Sequence, residues 1–215
     1  MRTIIGWTGM LLLVYGTPAA AQRSQGPIRL GVSVGTTSFG KAAEPIAVGN
    51  DKLQAMPYRT TMWGVTGSYG TGKVRVGLSA TTGRPGLALR GNPTATPEEE
   101  GDALLIAGDN VFRLVSVSAT ASLSLTEFSA GPSLRPSLGL LLERWSSPGA
   151  PTQTITGGQA GMALEIPLTG SLSGRLLGEI GYTPGSPFHD EVVPEGFRPR
   201  SAWRRTLTGG VTLRL

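Results

Sequence analysis

The chain has 215 residues, 32 glycines, no cysteine, 15 % charged residues and a formal net charge of +5. Without cysteine it takes no stability from disulfides and has no thiol chemistry or cysteine-bound metal, while much glycine and little charge disfavour a helical bundle. Sixteen of its nineteen basic residues are arginine, but no basic cluster with interleaved aromatics marks a nucleic-acid surface.

The opening MRTIIGWTGMLLLVYGTPAAAQ reads as a secretory signal. Arg2 is the positive start, Ile4 to Tyr15 the apolar core, and Ala19-Ala20-Ala21 the cleavage site before Gln22. Residues 1–21 are thus expected to be removed, leaving 22–215 as one domain. No cysteine stands at the cleavage site, as lipoprotein anchoring would require. No later apolar run is long enough for a transmembrane helix.

Eight alternating segments follow. IRLGVSVG sets Ile28, Leu30, Val32 and Val34 against Arg29, Gly31, Ser33 and Gly35. The second, about 58 to 69, sets Trp63, Val65, Gly67 and Tyr69 against Met62, Gly64, Thr66 and Ser68. KVRVGLSAT sets Val74, Val76, Leu78 and Ala80 against Lys73, Arg75, Gly77 and Ser79. The fourth, about 111 to 125, sets Val115, Val117, Ala119, Ala121, Leu123 and Leu125 against Ser116, Ser118, Thr120, Ser122 and Ser124. The fifth, about 134 to 145, carries Leu138, Leu140 and Leu142 against Arg135, Ser137 and Glu143; the sixth carries Met162, Leu164 and Ile166 against Gly161 and Glu165. The seventh opposes Leu176, Ile180 and Tyr182 to Arg175 and Glu179, and WRRTLTGGVTLRL at 203 to 215 is the eighth. A period of two sustained this long excludes helix. Most segments reach the roughly 9–11 residues that a tilted membrane strand needs.

Long connections at 38–56, 83–108 and 185–201 alternate with tight ones such as 70–73 and 168–171, so the long ones are expected on one rim. The polar parity carries Arg29, Lys73, Arg75, Arg135, Arg175, Arg204 and Arg214 with Glu143, Glu165 and Glu179. Alternation by itself allows either face to turn inward. Strand length, rim-wise loops and the Gly, Ser and Thr of the polar face favour lipid outside and a packed polar lumen. The charges would then pair as a structural network closing the lumen, since an isolated desolvated ion is costly. Arg135 and Arg175 are the expected partners of the acids, with Arg29 and Arg214 as surplus bases near the rims. Tyr58, Trp63, Tyr69, Trp145, Tyr182 and Trp203 lie near strand ends as interface anchors would, and the outward Arg144 and Arg205 would snorkel.

This pattern resembles the small outer-membrane β-barrel proteins of the OmpA and OmpX type, over essentially the whole mature chain and in architecture only. The ending GGVTLRL is similar to the C-terminal signal read by the barrel-assembly machinery, with Leu215 in place of the usual aromatic. The resemblance implies an all-β, eight-stranded antiparallel up-and-down transmembrane barrel, a monomer of the bacterial outer membrane. Outer-membrane lipid, lipopolysaccharide and the assembly machinery are its implied partners.

Other motifs read plainly. His189, the one histidine, sits in PFHDEVVPEGF without a serine partner pattern and reads as a solvated loop residue. Thr96, Pro97 and Glu98 to Glu100 look like a helix start within TPEEEGDALLIAG. GTGK at 70–73 is a hairpin turn, and GGQAG at 157–161 precedes no helix. The expected function is non-enzymatic: structural, or binding through the long loops, with no cofactor or metal. Two alternatives are a lipid-modifying enzyme using His189 and a soluble lipocalin-like carrier whose apolar parity lines a cavity.

Overall fold

In the computed structural model, the alternating segments become strands whose apolar positions point outward. The structure describes residues 28–40, 42–48, 51–70, 73–92, 103–125, 131–188, 198 and 200–215. The signal at 1–21, the acidic run at 98–100 and His189 lie outside the described residues. Among the described residues twelve strands run in chain order: β1 (Ile28–Phe39), β2 (Ile46–Val48), β3 (Asp51–Pro57), β4 (Thr60–Tyr69), β5 (Val74–Gly83), β6 (Leu87–Asn92), β7 (Ala103–Gly108), β8 (Arg113–Leu123), β9 (Ser133–Ser146), β10 (Gln153–Pro167), β11 (Leu172–Thr183) and β12 (Ala202–Arg214).

Eight of them close an antiparallel barrel in the order β1-β12-β11-β10-β9-β8-β5-β4. Closure is made by β1 against β12, with Val32 opposite Val211 and Ser33 opposite Gly210. On the outer face Leu30, Val32, Val65, Leu78, Leu138 and Leu140 are all more than half exposed. An apolar wall of this extent is untenable in water and suits lipid. It also removes the soluble-carrier alternative, which needed these side chains inside.

The inward face is tight. A Cβ on Gly35 would meet the Leu207 carbonyl, and one on Gly139 the Ala119 carbonyl. Glycine at these two places lets neighbouring backbones approach where the sheet curves. Gly70, with φ of 153°, turns the chain between β4 and β5.

The strand ends linked by the β4–β5, β8–β9 and β10–β11 connections share one rim with both described chain ends, whereas those linked by β1–β4, β5–β8, β9–β10 and β11–β12 share the other. The first two long connections form a second sheet, β2-β3-β6-β7, joined through the β3–β6 pair. Sequence reading took 83–108 as a loop with a helix start, but its end, Ala103–Gly108, is strand β7. Its backbone groups are satisfied by β6, a partner from the same connection that no local pattern announces.

The long-loop mouth is roofed. Gln54 Nε2 and Ser186 Oγ donate to the carbonyls of Ala43 and Ala42 at 2.7 and 3.0 Å. Beneath them Phe112 packs against Phe188 and Trp145, at centroid distances of 5.6 and 6.0 Å, with Met62, Leu114 and Ile155 in the same buried cluster.

Candidate functional site: the barrel interior

Eight strands enclose only enough space for side chains to fill, and here the polar parity fills it. Glu165 on β10 is 7 % exposed. Its carboxylate accepts from Arg29 Nη1 of β1 at 3.1 Å and from Arg75 Nη1 of β5 at 2.6 Å. Both donors sit three strands away around the barrel, in opposite directions, so the bonds cross the lumen. This corrects the expected pairing. Arg175 is the register partner of Glu165, and Arg135 donates through Nη2 to the Lys73 carbonyl at 3.0 Å, yet neither makes the ion pair. Cross-strand neighbours point in parallel into the lumen, whereas an arginine from the far wall meets the carboxylate head-on.

A second cluster lies nearer the long-loop rim. Glu143 accepts from Arg204 Nη1 at 2.8 Å and from Trp145 Nε1 at 3.0 Å. Arg204 also donates to Ser116 Oγ at 2.9 Å and Gln159 Oε1 at 3.2 Å, and Gln159 Nε2 donates to Glu179 Oε1 at 3.1 Å. Glu179 therefore bonds an amide rather than the base expected for it. Two arginines and one carboxylate in the first cluster, and one arginine with two carboxylates and a polar relay in the second, keep the buried acids hydrogen-bonded.

Further expectations are corrected. Arg29 is no surplus base, because it holds Glu165. Lys73 is exposed at the turn rim and is not part of the interior. Arg214 is half-buried at that same rim, in register with Arg29. Trp145 is no interface anchor: it is 2 % exposed, inside the barrel, sharing the parity of Glu143. Trp63, Tyr69, Tyr182 and Trp203 do face outward, with the Tyr182 and Trp203 rings 4.8 Å apart.

The apolar plug was missed, although Met62, Leu114, Leu141 and Trp145 all stand on the polar parity toward the long-loop end. That placement was its one local signal. Between plug and turn rim, a void of about 50 Å³ remains beside Arg135, Arg175 and Glu179, enough for about one or two waters. Among the described residues no group of acidic and histidine side chains gathers as a metal site would.

Closed barrel, apolar wall and salt-bridged lumen together are the architecture of the small eight-stranded outer-membrane β-barrels. Among solved structures, the chain superposes on Neisserial surface protein A (NspA) with a TM-score of 0.54 and 12 % identity, covering 88 % of this chain and 97 % of that one. It superposes on the outer membrane protein OprG of Pseudomonas aeruginosa with a TM-score of 0.56 and 11 % identity, covering 90 % and 98 %. The outer membrane protease OmpT of Escherichia coli also aligns, with a TM-score of 0.41 and 9 % identity over 93 % of this chain and 100 % of that one. At these identities the likeness is one of fold. No family model matches the sequence, and no curated protein sequence matches it.

Proposed function

We propose that this is a non-enzymatic protein of the bacterial outer membrane, a monomeric barrel with a closed lumen that acts structurally or by binding through its long-loop face. One observation carries the reading: among the described residues, paired charges and an aromatic plug occupy the interior around a void of about 50 Å³. The Arg29–Glu165–Arg75 ion pairs occupy the turn-side half, and the Arg204–Glu143 pair with the aromatic plug occupies the long-loop half. An interior so filled leaves no continuous path for ions, and the surface left for recognition is the sheet β2-β3-β6-β7 with the connections around it. Outer-membrane lipid and lipopolysaccharide surround the wall, and the assembly machinery would read the β12 end.

The test is planar-bilayer conductance of the refolded protein together with membrane fractionation. Rare or no openings and detergent-dependent extraction are expected. A large steady conductance, or folded protein in a detergent-free periplasmic extract, would overturn the reading. The enzyme alternative rests on His189, and a lipid-modification assay on His189→Ala tests it directly.

A further inference from the structure

The outer wall is not uniform. A groove of about 560 Å³ runs over β12, β1, β4, β5 and β8. One of its rows is Gly209, Val34, Trp63, Thr82 and Val115, each the register partner of the next. Trp63, 64 % exposed, stands as a wall, whereas Gly209 and Ala80 are small enough to form a floor. A Cβ on Gly209 would meet no atom within 4 Å, so nothing of the protein fills that space.

The groove continues toward the long-loop rim. Trp63 and Thr82 also line a second hollow of about 620 Å³, where the charged residues among those described are Arg59, Arg84, Arg113 and Asp109. The three arginines are exposed. Each continues the outward parity of its strand: Arg59 above Trp63, Arg84 above Thr82, Arg113 above Val115. Arg59 lies over the Tyr58 ring at 5.7 Å. Arg84 and Arg113 are carried on backbones tied by Thr82 Oγ1 to the Leu114 carbonyl at 3.1 Å. Along the strands that bear the groove, its lining residues therefore give way to guanidinium groups two to four residues further on.

From this juxtaposition we propose a binding site for one phosphorylated lipid of the outer leaflet, its acyl chain in the groove of β12, β1, β4, β5 and β8 and its headgroup phosphate on Arg59, Arg84 and Arg113. The site rests on the reading that the barrel spans the outer membrane with its long loops outside. Its geometry selects the ligand class. The apolar part opens only onto the lipid-facing wall, so the ligand arrives dissolved in the membrane. The basic part lies at the level of outer-leaflet headgroups, and a guanidinium fork matches phosphate oxygens two at a time. Both hollows fall in the size range of built ligand sites, roughly 300–1,000 Å³. The outward basic residues Arg144 and Arg205 stand outside both hollows.

The experiment is native mass spectrometry of the full protein from detergent, with bis-phosphorylated lipid A as the probe. Dephosphorylated lipid A and inorganic phosphate are run in parallel. Retention of lipid A by the wild type is expected, with loss of about tenfold or more in the R59Q/R84Q/R113Q variant. A charge-matched variant, R198Q/R200Q/R205Q, should retain it. Gly209→Leu should fill the groove and lower retention with every arginine in place, and millimolar inorganic phosphate should neither bind nor displace the lipid. Boiled and unboiled gel mobility of each sample reports the folded barrel separately. Folded, membrane-inserted protein that retains lipid A equally in the two triple variants, or holds the dephosphorylated form as tightly, would overturn the site and leave the membrane reading intact. Wild type that fractionates as a soluble protein would overturn both.

Discussion

Removing the Glu165 carboxylate is the most direct test of how the lumen is held. The side chains of Arg75 and Glu165 are 9 % and 8 % exposed and that of Arg29 15 %. Glu165→Ala leaves two guanidinium groups facing each other across a space too narrow to hydrate both. Stranding one buried ion costs about 3–5 kcal/mol. Arg29 lies near the turn rim and recovers some water, so the total should stay within that range and not double it. Urea unfolding from detergent micelles, followed by tryptophan fluorescence, reads the loss against Glu44→Ala, an exposed loop acid that should shift stability by less than about 0.5 kcal/mol. The sign of a second change separates stranded charge from lost packing. Replacing Arg29, Arg75 and Glu165 all by Leu should recover most of the loss, because a buried ionic cluster is often no more stable than an apolar one. Equal stability of the Glu165 and Glu44 variants would refute the argument, since it would mean the lumen is wet enough to solvate free arginine.

Further outcomes follow from the same geometry. Trp145→Phe should cost about 1–3 kcal/mol in urea unfolding, for Glu143 then loses a donor in a buried setting; Trp145→Ala should cost about 3–5 kcal/mol through the cavity left in the plug. Val65→Arg, on the outer wall, should cost roughly 2–4 kcal/mol when folding into vesicles is measured; an unchanged midpoint would place that face in water. Gly35→Val should reduce the heat-modifiable fraction on gels, because its side chain would run into the β12 backbone. Protease added to intact cells should cut within 40–59, 84–112 or 184–201 before 70–73 or 168–171; the reverse order would invert the topology.

Much of the barrel is legible in the residues themselves. Alternation has a period that only a strand can carry, and eight such runs with rim-wise long and short links admit few closures, so strand number, antiparallel order and the polar parity follow from the chain alone. Even the plug left a trace, since Trp145 shares the parity of Glu143 two residues before it. Its position near a strand end suggested a membrane girdle only because aromatics at that height occur on both faces.

Three things depended on the tertiary structure. The first is the sense of closure: parity is symmetric, strand length and rim-wise loops favour the apolar face outward, and the closed barrel realises it. The second is who pairs with whom. Glu165 meets Arg29 and Arg75 because the barrel is narrow and the far wall is within an arginine's reach, a distance that separations of 136 and 90 residues along the chain do not encode. The third is the sheet β2-β3-β6-β7, whose short strands lack a clean period and find their partners across two connections. Local sequence specifies local dihedrals and faces. Contacts across the lumen and between loops exist only once the barrel has closed.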